Sequence, residues 1–191
     1  MTNVEDYIMH LSGFLSKDVC NSAIKELQDT SWEEHKFYNA YRDASKTHPS
    51  LDFGDSTPLD YCIGDIPQKK SISDLLWNAI KKYVDTYGGY WNSWEGYTEI
   101  RCNRYTKEGS MDPHVDHIQS IFPGTPKGIP ILSIVGVLND DYEGGNFMMF
   151  KDTEIKLKAG DLLLFPSNFI YPHWVNPVTK GTRYSYVSWV Y

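Results

Sequence analysis

Cysteine is scarce: Cys20, Cys62 and Cys102 are widely spaced and form no CxxC pair, so neither a disulfide framework nor a zinc knuckle is indicated. Three reduced thiols suit an intracellular chain. Long apolar runs are missing too, the longest, Ile129 to Leu138, being about half the span of a membrane helix. The first residues, MTNVEDYIMHLSGFL, are acidic and lack the positive segment of a secretory leader. These absences give the expectation of a cytoplasmic protein without a membrane partner. Positive charge is in the minority, 18 Lys and Arg against 25 Asp and Glu, for a net charge of −7. That balance speaks against broad, charge-driven contact with nucleic acid. Internal repeats and low-complexity tracts are also absent.

What is present is apolar and aromatic mass. The 191 residues are 41% hydrophobic and 15% aromatic, with 14 Tyr and 6 Trp, enough for one globular domain with a sizeable core. Ser16 to Gln28 places Val19, Cys20, Ala23, Ile24 and Leu27 at helical spacing behind Ser16 as N-cap. Ser71 to Tyr87 reads as a second helix, with Ser71 and Asp74 as a capping box, a stripe of Leu75, Leu76, Ala79, Ile80 and Tyr83, and Gly88-Gly89 as its stop. Between them, Glu33 to Gln68 reads as a long surface loop with short strands. From Tyr97 onward short apolar or alternating runs recur at Tyr97–Tyr105, Ile131–Leu138, Asn146–Phe150, Glu154–Leu157, Asp161–Phe165 and Arg183–Tyr191, separated by glycine-bearing turns. The expected architecture is mainly β with flanking helices (α+β), a jelly-roll-like barrel. It is expected to be a single domain over 1–191, residues 1–96 forming a helical and loop support and 97–191 the barrel core.

His114 and Asp116 are two apart, so a strand would turn both to one face. Imidazole and carboxylate suit a divalent ion of intermediate hardness, and a third ligand would leave part of the coordination sphere open. His173, beyond the Asp161–Phe165 strand and a connection containing Pro166 and Pro172, is the natural third ligand. His117 would face away if the strand continues, Asp112 beside Pro113 reads as a turn residue, and His10, His35 and His48 lie in the front half and are expected to lack acidic partners. Most histidines are surface or satisfied core residues, so an isolated HxD carries little weight.

Arg183 and Ser185 also share a face, with Val187 and Trp189. A guanidinium pointing into a barrel needs an anion and matches a carboxylate with its fork. That anion is either a ligand carboxylate or an Asp or Glu on a neighbouring strand.

The order His114-x-Asp116, His173, Arg183-x-Ser185 resembles the 2-oxoglutarate/iron(II)-dependent dioxygenases, most of all their prolyl 4-hydroxylase branch. The flanking segments RYTKEGSMDPHVD, LNDDYEGGNFMMF and LKAGDLLLFPSNFIYPHWVNPVTKGTRYSYVSW are similar to that branch, so the resemblance covers about Tyr97 to Tyr191. It implies a double-stranded β-helix with Fe(II) held by His114, Asp116 and His173, and 2-oxoglutarate meeting Arg183 and Ser185 through its distal carboxylate. Tyr105 matches a tyrosine that often contacts the cosubstrate there; core packing is its alternative role. Many animal and plant prolyl 4-hydroxylases carry Lys where Arg183 stands. The implied reaction couples O2 and 2-oxoglutarate, with ascorbate as reductant, to hydroxylation of a C–H bond, foremost of a peptidyl proline. An extended peptide could lie along Phe37, Tyr38, Tyr41, Trp91 and Trp94, whose alternative is to cover the barrel. A free amino acid or small molecule, a nucleic-acid-directed oxygenase and a cupin-like binding protein remain as competing readings.

Overall fold

The computed structural model describes residues 3–38, 53–63, 66–87, 94–117 and 129–191, with side chains undescribed at 36–38 and 53–58. After a short 3-10 turn at Val4–Tyr7 come β1 (Met9–Leu11), α1 (Lys17–Gln28), β2 (Glu33–Tyr38), β3 (Phe53–Cys62) and α2 (Pro67–Tyr87). Then follow β4 (Arg101–Tyr105), β5 (Met111–His114), β6 (Leu132–Val137), β7 (Glu143–Gly144) and β8 (Phe147–Met149). The last five strands are β9 (Thr153–Ile155), β10 (Leu162–Pro166), β11 (His173–Val175), β12 (Val178–Lys180) and β13 (Arg183–Val190).

These strands form an antiparallel seven-stranded sheet in the order β1-β10-β6-β13-β4-β3-β2, a four-stranded sheet β5-β11-β8-β9, and the pair β12-β7. The two larger sheets stack face to face without closing, in the double-stranded β-helix arrangement. The central strand β13 shows how one sequence serves both faces of the large sheet. Tyr184, Tyr186 and Val190 turn toward the helices, where they join Cys20, Ala23 and Leu27 of α1 and Ile72, Leu76, Ala79, Ile80 and Tyr83 of α2. Arg183, Ser185, Val187 and Trp189 turn toward the small sheet, where Val135, Leu163 and Phe165 meet Phe147, Met149 and Val175. Gly136 lies opposite both Leu162 and Tyr186, and a Cβ there would run into the Tyr186 ring. No helix among the described residues is long and apolar enough to cross a membrane.

Several expectations need correction. The second helix starts four residues early, at Pro67, where a missing N–H and a fixed φ suit the first helical position. Ser71 is therefore inside it and caps nothing; Asp74 pairs instead with Lys70 one turn back, at 2.7 Å. Leu75 is exposed, and Ile72 takes its place in the buried stripe. The region read as a surface loop with short strands contributes β2 and the ten-residue β3, longer than expected, which extend the large sheet beyond β4. Ser16 does cap α1, its hydroxyl accepting from the Val19 amide. Gly88-Gly89, His48, Tyr41 and Trp91 lie outside the described residues, as do the side chains of Phe37 and Tyr38.

Candidate metal centre and anion clamp

The small sheet brings the histidines together. His173 opens β11 and is the direct cross-strand partner of His114 on β5, with Met149 of β8 on its other side. Residues directly opposite in an antiparallel pair hold their side chains side by side, and the two imidazole centroids are 4.3 Å apart. Asp116 sits two residues beyond His114, just past the end of β5. Its Oδ1 is 3.5 Å from His114 Nε2 and its Oδ2 is 3.7 Å from His173 Nε2. One ligand atom from each residue lies within 4.8 Å of the others, a spacing that could hold a metal ion.

Both rings are oriented from behind. His114 Nδ1 donates to the Asp112 carbonyl at 2.8 Å, and His173 Nδ1 donates to the Tyr171 carbonyl at 3.1 Å. A carbonyl only accepts, so each Nδ1 carries the proton and each Nε2 presents its lone pair to the centre. Asp112 thus contributes through its backbone, as an exposed strand residue and not a turn. Asp116 is steadied by a pair the sequence did not reveal: Ser133 Oγ on β6 donates to Asp116 Oδ2 at 2.6 Å and lies 2.7 Å from Ser167 Oγ.

The electrostatics favour a cation. Burial alone would raise the Asp116 pKa, yet His173, His114 and the Ser133 hydroxyl outweigh it and hold the carboxyl well below its usual range. His173 is pushed down to about 4, chiefly by burial against the charged form. For His114 burial acts the same way, but Asp116 outweighs it and the pKa is raised. An anionic carboxylate between two lone-pair-presenting imidazoles is a donor set for a divalent ion.

On the facing sheet, Arg183 is only 1% exposed. Its Nη1 donates to Ser185 Oγ at 2.9 Å, and its guanidinium lies 4.9 Å over the Tyr105 ring, the cross-strand neighbour on β4. Its Nε and Nη2 have no hydrogen-bond partner among the described residues. Among the described residues no carboxylate reaches it. Gly145 makes room for this side chain: at φ +61°, a Cβ there would press on Arg183 Cδ at 3.2 Å. Tyr105 is buried, and that burial raises its pKa. Tyr105 therefore both packs in the core and forms the floor under Arg183.

The remaining histidines separate as follows. His117 is exposed and faces away, its amide bound to the Ser167 carbonyl. His10 does have an acidic partner, 151 residues distant: Asp161 Oδ2 at 2.9 Å. His35 packs edge-on against Tyr61, and burial first, then Arg101 and His114, push it down to about 3. Arg101, Asn103, Tyr61 and His35 thus stand on the site's wall; the first three were not singled out in the sequence, and His35 was set aside there. Parity with Tyr105 on β4, and with its partner Leu59 on β3, was the available signal for Arg101, Asn103 and Tyr61, but not for His35 on β2.

Residues 100–191, just under half of the chain, match the 2OG-Fe(II) oxygenase superfamily model. With the curated relatives below, this match supports a 2-oxoglutarate/Fe(II)-dependent dioxygenase. Among curated relatives, a PKHD-type hydroxylase of Pseudomonas fluorescens is 29% identical over 95% of this chain and 77% of its own. Among solved structures, the fold is similar to the viral collagen prolyl hydroxylase of Paramecium bursaria Chlorella virus-1 in its 2OG complex, with a TM-score of 0.65 and 16% identity over 96% of this chain and 94% of that one. It is also similar to a Trichoplax adhaerens prolyl hydroxylase in complex with a hypoxia inducible factor peptide fragment, with a TM-score of 0.68 and 17% identity over 96% and 83%.

Proposed function

We propose that His114, Asp116 and His173 hold Fe(II), that Arg183, Ser185 and Tyr105 hold 2-oxoglutarate, and that the enzyme hydroxylates a proline within a peptide. The observation that carries this reading is the unsatisfied buried guanidinium of Arg183 on the sheet facing the triad. A buried charged donor without an acceptor costs several kcal/mol, whereas a carboxylate seated there would satisfy Nε and Nη2 in a forked pair. The donor chemistry of the triad fits the iron equally well.

When bound, iron with 2-oxoglutarate and O2 supplies the oxidant that turns a C–H bond into C–OH while 2-oxoglutarate becomes succinate and CO2. The protein's share is positional. Nδ1 hydrogen bonds aim the two imidazoles, Ser133 fixes the carboxylate, and Arg183 with Ser185 sets the cosubstrate's direction. The apolar ring of Phe147, Phe165 and Met149 around His173 keeps water from its inner side.

Proline and a peptide partner are supported by the named activities of the relatives and by the fold they share with this chain. Of the aromatic loop residues considered for a peptide groove, Trp94 is described, and it packs on Trp77 at 4.8 Å beside the helices, away from the triad. Ascorbate as reductant, a single functional domain over 1–191 and a cytoplasmic setting belong to the same proposal. The test is succinate release by the iron-loaded protein with proline-containing peptides, alongside a gain of one oxygen in the peptide mass. Full 2-oxoglutarate turnover by His114→Ala would overturn the metal assignment.

A further inference from the structure

The site holds a second arginine for which neither the metal nor the cosubstrate accounts. Arg101 begins β4 and faces the same side as Arg183, but at the level of Val187, four residues further along β13. Four strand residues span about 13 Å, while the terminal carbons of 2-oxoglutarate lie roughly 5 Å apart at bond lengths near 1.5 Å. With one carboxylate on Arg183 and the other end at the triad, the cosubstrate is fully committed.

Arg101 is anchored but not neutralised. Its Nε donates to Asn103 Oδ1 at 3.0 Å, and its guanidinium lies over the rings of Tyr61 at 5.1 Å and Trp189 at 5.8 Å. These contacts fix its position and leave both Nη groups without a described acceptor. No described carboxylate lies within ion-pair distance of it. Beside it, the Trp189 indole N–H is also buried without an acceptor. Trp189 stands directly across from Ser133, which holds Asp116, so this wall borders the metal site. A fixed cation next to a metal site, with a donor lacking a partner, is matched by an anion and not by another neutral group.

We propose that Arg101, seated on Tyr61 and Trp189, is a specificity-determining residue that binds a carboxylate of the primary substrate, so that the enzyme selects acidic substrates. This rests on the oxygenase reading above. The carboxylate is either an Asp or Glu side chain next to the target residue or the free α-carboxylate of a chain end or amino acid; both offer the same forked acceptor.

The experiment uses the full chain loaded with Mn(II) and 2-oxoglutarate without O2, so that binding is read without turnover. Calorimetry compares acetylated Ala-Pro-Asp-Ala with Ala-Pro-Asn-Ala, Ala-Asp-Pro-Ala with Ala-Asn-Pro-Ala, and Ala-Pro as free acid with its amide; free proline and prolinamide complete the set. In at least one pair the carboxylate form is expected to bind about tenfold tighter or more, and the ratio should fall as salt is raised. Which pairs respond distinguishes side chain from chain end. In Arg101→Gln the ratio should collapse toward one, and in Arg101→Lys it should be partly kept. Wild-type protein that prefers no carboxylate form overturns the proposal without recourse to any variant. So does a preference that survives in Arg101→Gln, or a variant whose only change is weaker 2-oxoglutarate binding. Succinate release with Fe(II) and O2 is measured in parallel. Absence of turnover overturns the oxygenase assignment of the site, whereas turnover without carboxylate preference overturns only the role of Arg101.

Discussion

Ser133 Oγ donates to Asp116 Oδ2 at 2.6 Å from a strand of the opposite sheet, tying the carboxylate of the candidate metal centre to the centre of the fold. Outer-shell partners of this kind typically alter metal affinity by about 10- to 100-fold. Ser133→Ala should weaken Mn(II) or Fe(II) binding by that factor while the protein still melts cooperatively. Metal titration of the apo protein measures this, and unchanged affinity would mean that the backbone alone positions Asp116.

Arg183→Met should raise the KM for 2-oxoglutarate about 10- to 100-fold, since a hydrogen-bonded charged group contributes roughly 1.5–3 kcal/mol. Metal binding should persist, because Arg183 touches none of the three candidate ligands. Arg183→Lys should recover part of the loss, a point charge replacing a fork. Steady-state kinetics over a range of 2-oxoglutarate concentrations, with a metal titration alongside, would show whether the effect is confined to the cosubstrate.

Asp161 joins the amino-terminal strand to the barrel, its two oxygens accepting from the Gly13 amide, the Lys158 amide and the His10 ring, each at 2.9 Å. Burial would raise its pKa, but these hydrogen bonds outweigh burial and hold it below the usual value of 3.8. A depressed folded-state pKa stabilises above the unfolded value and is lost as pH falls through the folded one. Asp161→Asn should therefore lose about 1–3 kcal/mol at pH 7. The gap to the wild type should narrow as the pH drops below about 4. Denaturant midpoints at several pH values test the sign, and a gap that widened in acid would contradict it.

Gly136→Ala should be destabilising by about 1–3 kcal/mol or more. The added methyl meets the ring of Tyr186, which is fully buried between β6 and the helices. Thermal melting gives the answer, and a melt equal to the wild type would show that the ring has room to turn.

The site was legible where chemistry repeats at strand parity. His114 with Asp116, and Arg183 with Ser185, could be paired from a two-residue spacing alone, because side chains two apart in an extended chain share a face. Helix α1 was legible for a similar reason: its cap and its stripe lie within twelve residues. The start of α2 was missed because Ser71 and Asp74 imitate a capping box, while the true start is set by the fixed backbone of Pro67. Short strands were expected between the helices, but the ten-residue length of β3 was not legible, because part of its support comes from pairing with β4, a partner forty residues away, and not from its own periodicity.

The amino-acid sequence by itself determined which groups are available and in what local order: two histidines and a carboxylate for a cation, an arginine and a serine for an anion, and alternation that makes strands of both segments. Only the tertiary structure decided which of them meet. The stacking of the two sheets sets His173 against His114, brings Ser133 beneath Asp116, and leaves Arg183 without a carboxylate among the described residues. It also brings Arg101 beside Trp189, 88 residues away. Such distances in sequence carry no periodic signal, since they depend on sheet order and register, which are fixed by burying both faces of one sheet at once.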